Sequence, residues 1–275
     1  MNYKGILLVL VFFIIPFCAA SNNITLNYIL NGEVDSIDFT VNEGVADYLE
    51  NLPQAIRYEL GEIPSRADFA IRNIDEPNQR EVLLPLVEEI KSRAINKEDQ
   101  MRIAVSIVQN IPYGESGKNV SFGGAETGDL RYPYEVLYNN QGLCGEKSEL
   151  LLFLLKELGY ETSFFYFPME NHEAVGIKCP KWKSFKGTGQ CFIETTGPAI
   201  ITDSSIEYVG GITLQSEPEI YFISEGDSLP WRLYEYNDAK KMRKIRENKF
   251  TFFNKQKKME ELEQKYGLVE EYNLE

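Results

Sequence analysis

The predicted fold depends on residues 142–160, which read Gly142-Leu-Cys144-Gly-Glu-Lys-Ser148-Glu-Leu-Leu-Leu-Phe-Leu-Leu155-Lys-Glu-Leu158-Gly159-Tyr160. This pattern predicts a helix that begins at Cys144 and ends at Gly159. The unbroken apolar run at 150–155 leaves the helix no polar face, so it should be buried and central in its domain. A cysteine at such a helix start faces unpaired N–H groups and the positive end of the dipole, which favours the thiolate.

The chain contains one histidine, His172, which follows this helix and begins a strand-like run. Cysteine and histidine are a standard pair for nucleophilic catalysis, and a third group must hold the imidazole in one orientation. Glu194 is the candidate because it lies on the next strand-like run, and neighbouring antiparallel strands can bring the two side chains together. The alternative is that Cys144 is inert, His172 is an ordinary core histidine and Glu194 is one of 42 acidic residues.

Composition limits the classes of partner. The 275 residues include 42 acidic and 28 basic side chains, for a formal net charge of -14. Nucleic-acid binding needs clustered lysine and arginine, so we expect no nucleic-acid partner. A hydrophobic content of 43% with 25% charged residues is typical of a globular chain.

Residues 1–20 have the pattern of a secretory signal peptide. Lys4 precedes an apolar run from Gly5 to Phe17, and cleavage is predicted after Ala20. We therefore expect a secreted or cell-surface protein, with membrane association only through this segment if it stays uncleaved. An uncleaved anchor or a lipidated Cys18 is the alternative.

Three cysteines remain after the leader: Cys144, Cys179 and Cys191. Cys179 ends one strand-like run and Cys191 begins the next, so a disulfide between them would leave Cys144 as the free thiol. The alternative is that the pair are two buried thiols, because sequence alone does not give their separation.

The remaining pattern predicts an α+β fold in which a central helix packs on an antiparallel sheet. A hairpin is predicted at 24–41 around Asn31-Gly32, and a loop at 114–131 should form a rim or a surface insertion. Helices are predicted at 43–50, 53–60, 76–93 and 97–110, and strands at 69–72, 161–167, 172–179, 190–194, 206–214 and 219–223.

Four segments follow from this reading. Residues 1–20 are the signal peptide and 21–96 an N-terminal extension of a hairpin and helices. Residues 97–236 form the catalytic domain, and 237–275 a charged helical tail that docks through Phe250, Phe252 and Phe253.

The residues around the site resemble the transglutaminase-like superfamily, especially its prokaryotic members. The resemblance covers roughly residues 97–200, and its motifs are Tyr132-Pro133, Val136-Leu137, Gly142-Leu-Cys144-Gly-Glu-Lys-Ser148, Leu158-Gly-Tyr160, Glu170-Asn-His172 and Ala174-Val-Gly. It implies a papain-like α+β fold with Cys144 as the nucleophile and His172 as the general base and acid. Glu194 stands where the family usually has aspartate, and the aromatic residue that often follows the family's histidine is missing.

The resemblance implies an exported cysteine hydrolase or acyltransferase that acts on peptide or carboxamide bonds of a protein or peptide substrate through a thioester. We expect a peptidase or amidase first; the alternatives are a transglutaminase-type cross-linker and a non-catalytic cell-surface binding module. Asn139, Asn140 and Gln141 are the upstream candidates for an oxyanion donor or substrate contact. No acidic loop with EF-hand spacing occurs, so we expect no metal or other cofactor.

Overall fold

The structure is a computed structural model that describes residues 21–114, 117–122, 125–128, 130–205, 207–208, 212–247 and 252–268. The predicted signal peptide lies outside these residues. The fold mixes α-helices with antiparallel β-sheets, which agrees with the predicted class at this level of detail.

The described part of the chain begins with the predicted hairpin, formed by β1 (Ser21–Leu30) and β2 (Glu33–Asn42). Asn31 and Gly32 both have positive φ, 55° and 84°, as a tight hairpin turn requires. One face of the hairpin is buried through alternating apolar side chains, which are Leu26, Tyr28, Ile37, Phe39 and Val41.

Four helices follow: α1 (Glu43–Glu50), α2 (Arg66–Ile74), α3 (Pro77–Arg93) and α4 (Lys97–Asn110). The predictions for α1, α3 and α4 are confirmed, and Pro85 lies inside α3. The strand predicted at 69–72 is wrong because Ser65 and Asp68 form a capping box that begins α2 there. Residues 53–60 are not helical, which corrects the prediction of a helix there.

Part of the predicted loop at 114–131 is a hairpin instead. It pairs β3 (Asn119–Phe122) with β4 (Ala125–Gly128). Four residues per strand are too few for a periodic signal in the sequence. The chain then forms α5 (Pro133–Asn139) and α6 (Cys144–Glu157).

The sheet beside α6 contains β5 (Thr162–Phe167), β6 (His172–Lys178) and β7 (Gln190–Ile193). The short pair β8 (Glu207–Tyr208) and β9 (Ile212–Thr213) follows, and then β10 (Glu219–Ser224). The main sheet has the order β10-β5-β6-β7 and all its pairs are antiparallel. The prediction that 206–214 extends this sheet is wrong, because β8 and β9 pair with each other.

The tail is helical, as α7 (Glu235–Arg246) and α8 (Phe252–Tyr266). Its docking on the body uses Ile200, Met242, Ile245 and Leu262, which form a small apolar cluster. Phe250 lies outside the described residues, and the docking role predicted for Phe252 and Phe253 stays a prediction.

Residues 145–155 of α6 are all buried, as the apolar run predicted. One continuous apolar core extends from Leu26 to Tyr236 and includes this helix, the hairpin and α4. The predicted domain boundaries stay a prediction. In the part of the chain that the structure describes, no helix has the length and apolar content needed to cross a membrane.

Candidate active site

Glu146 fixes the start of α6, where Cys144 is the first helical residue. Its side chain is fully buried, and its carboxylate accepts hydrogen bonds from the backbone N–H groups of Leu143 and Arg131, both at 2.8 Å. A carboxylate in the first turn also interacts favourably with the helix dipole. Cys144 is half-buried and is the free thiol of the described residues. The thiol therefore sits at a rigid helix N-terminus.

His172 is the first residue of β6 and is almost fully buried. Its Nε2 lies 3.0 Å from Oε2 of Glu194, which directly follows β7. The Cys144 side chain is also near enough to contribute to the raised pKa of this imidazole. The structure thus pairs His172 with Glu194 and places Cys144 near the imidazole.

The Glu194 carboxylate is fully buried and has several hydrogen-bond donors. Oε1 accepts from the backbone N–H of Thr195 at 2.9 Å, from the N–H of Thr196 at 3.0 Å and from Thr196 Oγ1 at 2.9 Å. Burial opposes the charged form, but the charge of His172 and the bonds from His172 and Thr196 lower the pKa of Glu194. Glu194 is therefore an ionised, fixed acceptor for the imidazole.

The environment of His172 favours its protonated form. Burial lowers its pKa, but the Glu194 carboxylate and the hydrogen bonds to Cys144 and Glu194 outweigh burial and raise the pKa to about 10. At neutral pH His172 is therefore an imidazolium that pairs with the Glu194 carboxylate.

Lys147 is a component of the site that the sequence analysis missed. It lies one turn after Cys144 and is fully buried, and its Nζ donates to the carbonyl oxygens of Ile111 at 2.6 Å and Thr196 at 3.1 Å. Burial lowers the pKa of Lys147 to about 7, although the Glu194 charge acts in the opposite direction. A lysine inside an otherwise buried helix was the available signal.

Glu173 was also missed. It follows His172, and its carboxylate lies so close to Gly145 that a Cβ on that glycine would overlap with Oε2. Its side chain forms an ion pair with Arg66 of α2. The available signal was a charged residue next to the histidine, but a strand residue of this type is usually exposed.

The three predicted oxyanion candidates lie at the last residue of α5 and in the turn that leads to α6. Asn139 is exposed and its Nδ2 donates to the carbonyl oxygen of Glu135 at 2.8 Å. Asn140 is exposed and left-handed, with φ 48°. The Gln141 side chain packs on Gly114, where a Cβ would overlap with it. An oxyanion role for these residues stays a prediction.

The predicted disulfide between Cys179 and Cys191 is present, with Cα atoms 5.8 Å apart. It joins β6 to β7, the two strands that lead from His172 and to Glu194. Disulfides persist in oxidising compartments, so the bond is consistent with the expected extracellular location. Within the described residues, no three His, Cys, Asp or Glu side chains form a group that could hold a metal ion.

No protein-family model matches the chain. No curated protein matches it either. Two solved structures are similar at a TM-score of 0.30 and 13% identity: calcium-bound LapG from Legionella pneumophila and a candidate protease from Parabacteroides distasonis ATCC 8503. The first likeness covers 63% of this chain and 98% of LapG; the second covers 64% of this chain and 36% of that protein. Likenesses this distant establish neither a family nor an activity for the chain.

Proposed function

We propose that the protein is an exported cysteine peptidase or amidase in which Cys144 is the nucleophile, His172 the general acid and base, and Glu194 the group that orients the imidazole. One observation carries the proposal: the buried imidazole of His172 lies 3.0 Å from Oε2 of Glu194, and the Cys144 side chain is near enough to raise the pKa of that imidazole. A nucleophile, a base and an orienting group in this order are the arrangement that acyl transfer needs.

In the first half of the reaction, the Cys144 thiolate attacks the carbonyl carbon of a peptide or carboxamide. The N–H of Cys144 at the start of α6 is a suitable donor for the oxygen that becomes negative. The His172 imidazolium then gives its proton to the leaving nitrogen while the C–N bond breaks. A thioester on Cys144 and a free amine result.

In the second half, water attacks the thioester while neutral His172 takes its proton. The C–S bond breaks, the acid leaves, and the thiolate and imidazolium are restored. If an amine attacks in place of water, the same site makes a new amide bond. Measuring ammonia release from a carboxamide substrate with and without added amine separates the two outcomes.

The fold supports the same assignment. We propose that residues 97–236 form a papain-like catalytic domain, since α6 carries Cys144 and the adjacent sheet carries His172 and Glu194. The disulfide between Cys179 and Cys191 supports export.

The proposal is tested by the rate at which iodoacetamide alkylates Cys144 in the non-reduced protein. We expect Cys144 to react faster at pH 6–7 than N-acetylcysteine does, because a neighbouring histidine activates a cysteine nucleophile. His172→Ala should remove this advantage. A rate equal to that of N-acetylcysteine, or one unchanged by His172→Ala, would reject the enzyme and favour a non-catalytic binding module.

A further inference from the structure

A cavity of about 380 Å³ lies beside the candidate active site, between α2, α6 and strands β5 and β6. It reaches the start of α6, because Glu173 in its wall lies against Gly145, the residue after Cys144. Gly145 and Glu149 are four residues apart on α6 and so share one face, separated by about 6 Å along the helix axis. The cavity therefore extends along α6, away from Cys144 and toward Glu149.

The lining changes from exposed to buried across this cavity. Phe69 and Leu130 are 38% and 37% exposed, whereas Phe164 and Glu149 are 3% and 6% exposed. The Glu149 carboxylate accepts hydrogen bonds from the Asn73 amide at 3.2 and 3.3 Å, which fix its position. A ligand that enters past the exposed rings and methyl groups thus meets apolar surface first and a fixed buried carboxylate last.

The cavity already holds a cation of the chain itself. The Arg66 guanidinium forms an ion pair with Glu173 and lies 3.7 Å from the centre of the Tyr166 ring. Its side chain is 42% exposed, so it lies at the open end. The charged side chains of the lining are Arg66, Glu149 and Glu173, with a net charge of -1 when all are ionised. Carboxylate oxygens beside aromatic rings form a surface that attracts a cation.

We propose that this cavity is the subsite for a lysine or arginine side chain of the substrate, with the stem between Phe69 and Leu130 and the charged head at Glu149. The assignment deepens the proposed function and rests on it, since the cavity matters for catalysis only if Cys144 reacts. A stem of three or four methylenes spans the distance from Gly145 to Glu149. Glu173, next to His172, is the second carboxylate that the cation meets.

The first experiment measures binding without catalysis. Cys144→Ser protein is titrated with N-acetyl-lysine methylamide, its arginine analogue and the neutral norleucine analogue, and backbone NMR shifts are followed. We expect the two cations to bind about 10-fold or more tighter than norleucine, with the largest shifts near Glu149. Equal affinity for all three compounds, or shifts elsewhere, would overturn the proposal.

Three variants locate the binding. Glu149→Gln and Glu173→Gln should each reduce the preference for a cation, and Arg66→Ala should increase it because a competing cation is removed. Glu157→Gln is the matched control, because Glu157 lies on the same helix, pairs with Arg80 and does not line the cavity. A loss of preference in Glu157→Gln equal to that in Glu149→Gln would reject a local subsite. A thermal unfolding curve for each variant shows whether it is folded.

The second experiment separates this proposal from the proposed function. Wild-type protein is treated with chloromethyl ketones of lysine and norleucine, and with iodoacetamide. Fast alkylation by iodoacetamide with equal rates for the two ketones rejects the subsite and keeps the enzyme. Slow alkylation by every reagent, together with cation binding that depends on Glu149, rejects the enzyme and keeps the site.

Discussion

Two glutamates near His172 have different surroundings. On one side, which we call the anchored side, Glu194 is held by Thr195 and Thr196. On the other, the cavity side, the neighbouring residue Glu173 faces Arg66 at the edge of a cavity. Burial raises the pKa of both carboxyl groups, but the outcome is opposite: the pKa of Glu194 is lowered, whereas that of Glu173 is raised.

The difference shows that the donors around a buried carboxylate decide its charge. Glu194 receives two backbone N–H groups, one hydroxyl and the imidazole, and these fixed dipoles replace water. For Glu173, by contrast, the effect of burial exceeds that of the two charges that lower its pKa, Arg66 and His172. A carboxylate with a fixed charge, such as Glu194, can hold the imidazole of a base in one orientation. A carboxylate whose charge is only partly balanced by its neighbours, such as Glu173, can bind a further cation.

The largest effect is expected from Glu194→Gln. Loss of this carboxylate removes the charge that raises the pKa of His172, and an opposite charge at this range shifts a pKa by roughly one to three units. We expect the pH above which Cys144 loses its enhanced alkylation rate to fall by about one to three units. The measurement is the alkylation rate across pH.

Glu173→Gln is the control for that experiment, because it changes the adjacent carboxylate on the cavity side. We expect it to leave the alkylation rate within about threefold of wild type, since hydrogen bonds to Glu194 fix the imidazole without it. Equal losses in the two variants would mean that the anchored side and the cavity side do not differ in function.

Lys147→Met should have a smaller effect, which acts through Glu194. Its Nζ donates to the carbonyl oxygen of Thr196, whose N–H and hydroxyl groups hold the Glu194 carboxylate, so we expect alkylation to slow by about 3- to 10-fold. In a Glu194→Gln background the same substitution should cost almost nothing, because the carboxylate that Lys147 helps to position is gone. Lys156→Met on the same helix, where Lys156 pairs with Asp75, is the control. Additive losses in the double variant would reduce Lys147 to a packing role.

The stability of the anchored side should depend on pH in two opposite ways. The folded pKa of His172 is raised from 6.5 to about 10, so its contribution is complete below pH 6.5 and is lost as the pH rises toward 10. The folded pKa of Lys147 is lowered from 10.5 to about 7. The cost of burying its charged ammonium is therefore removed as the pH rises from 7 to 10.5, and the folded protein becomes more stable over this range.

Urea unfolding of wild type, His172→Gln and Lys147→Met at pH 6, 8 and 10 tests both signs. The free energy of unfolding of wild type relative to His172→Gln should fall with pH by up to a few kcal/mol. The free energy of unfolding of wild type relative to Lys147→Met should rise with pH. Slopes of the same sign for both variants would mean that one of the two groups is not charged as described.

The sequence predicts the anchored side better than the cavity side. Cys144, His172 and Glu194 can be recognised in the sequence because a helix start and two neighbouring strands position them. These elements follow one another closely along the chain. The disulfide between Cys179 and Cys191 followed from the same two strands. Elements with a clear period, such as α4 and α6, were also predicted within a few residues.

The cavity side depends on contacts that are distant in sequence. Arg66 belongs to α2, which was predicted in part as a strand, and it meets Glu173 more than a hundred residues later in the chain. The short apolar run Phe69-Ala-Ile carries no period that separates a helix from a strand. Lys147 was missed for a related reason, because its carbonyl partners belong to two other segments of the chain.

The smallest effect is expected from Arg66→Ala. Its ion pair is nearly half exposed, with side chains 42% and 13% accessible, and such pairs contribute about 1 kcal/mol or less to the free energy of unfolding. The pKa of Glu173 is already raised, so its carboxyl group can bind a proton when the arginine is removed. The stability lost in Arg66→Ala should therefore be smaller at pH 4 than at pH 7.

Urea unfolding at both pH values measures this loss, with Arg80→Ala as the control. Arg80 pairs with Glu157, and the side chains of this pair have nearly the same exposure, 44% and 14%. Because Glu173 takes no part in this pair, the loss of stability in Arg80→Ala should depend less on pH. A loss for Arg66→Ala that does not change between pH 7 and 4 would mean that Glu173 keeps its charge without the arginine. The charge of the carboxylate on the cavity side would then be as well stabilised as that on the anchored side. It would give no reason to expect a second cation to bind there.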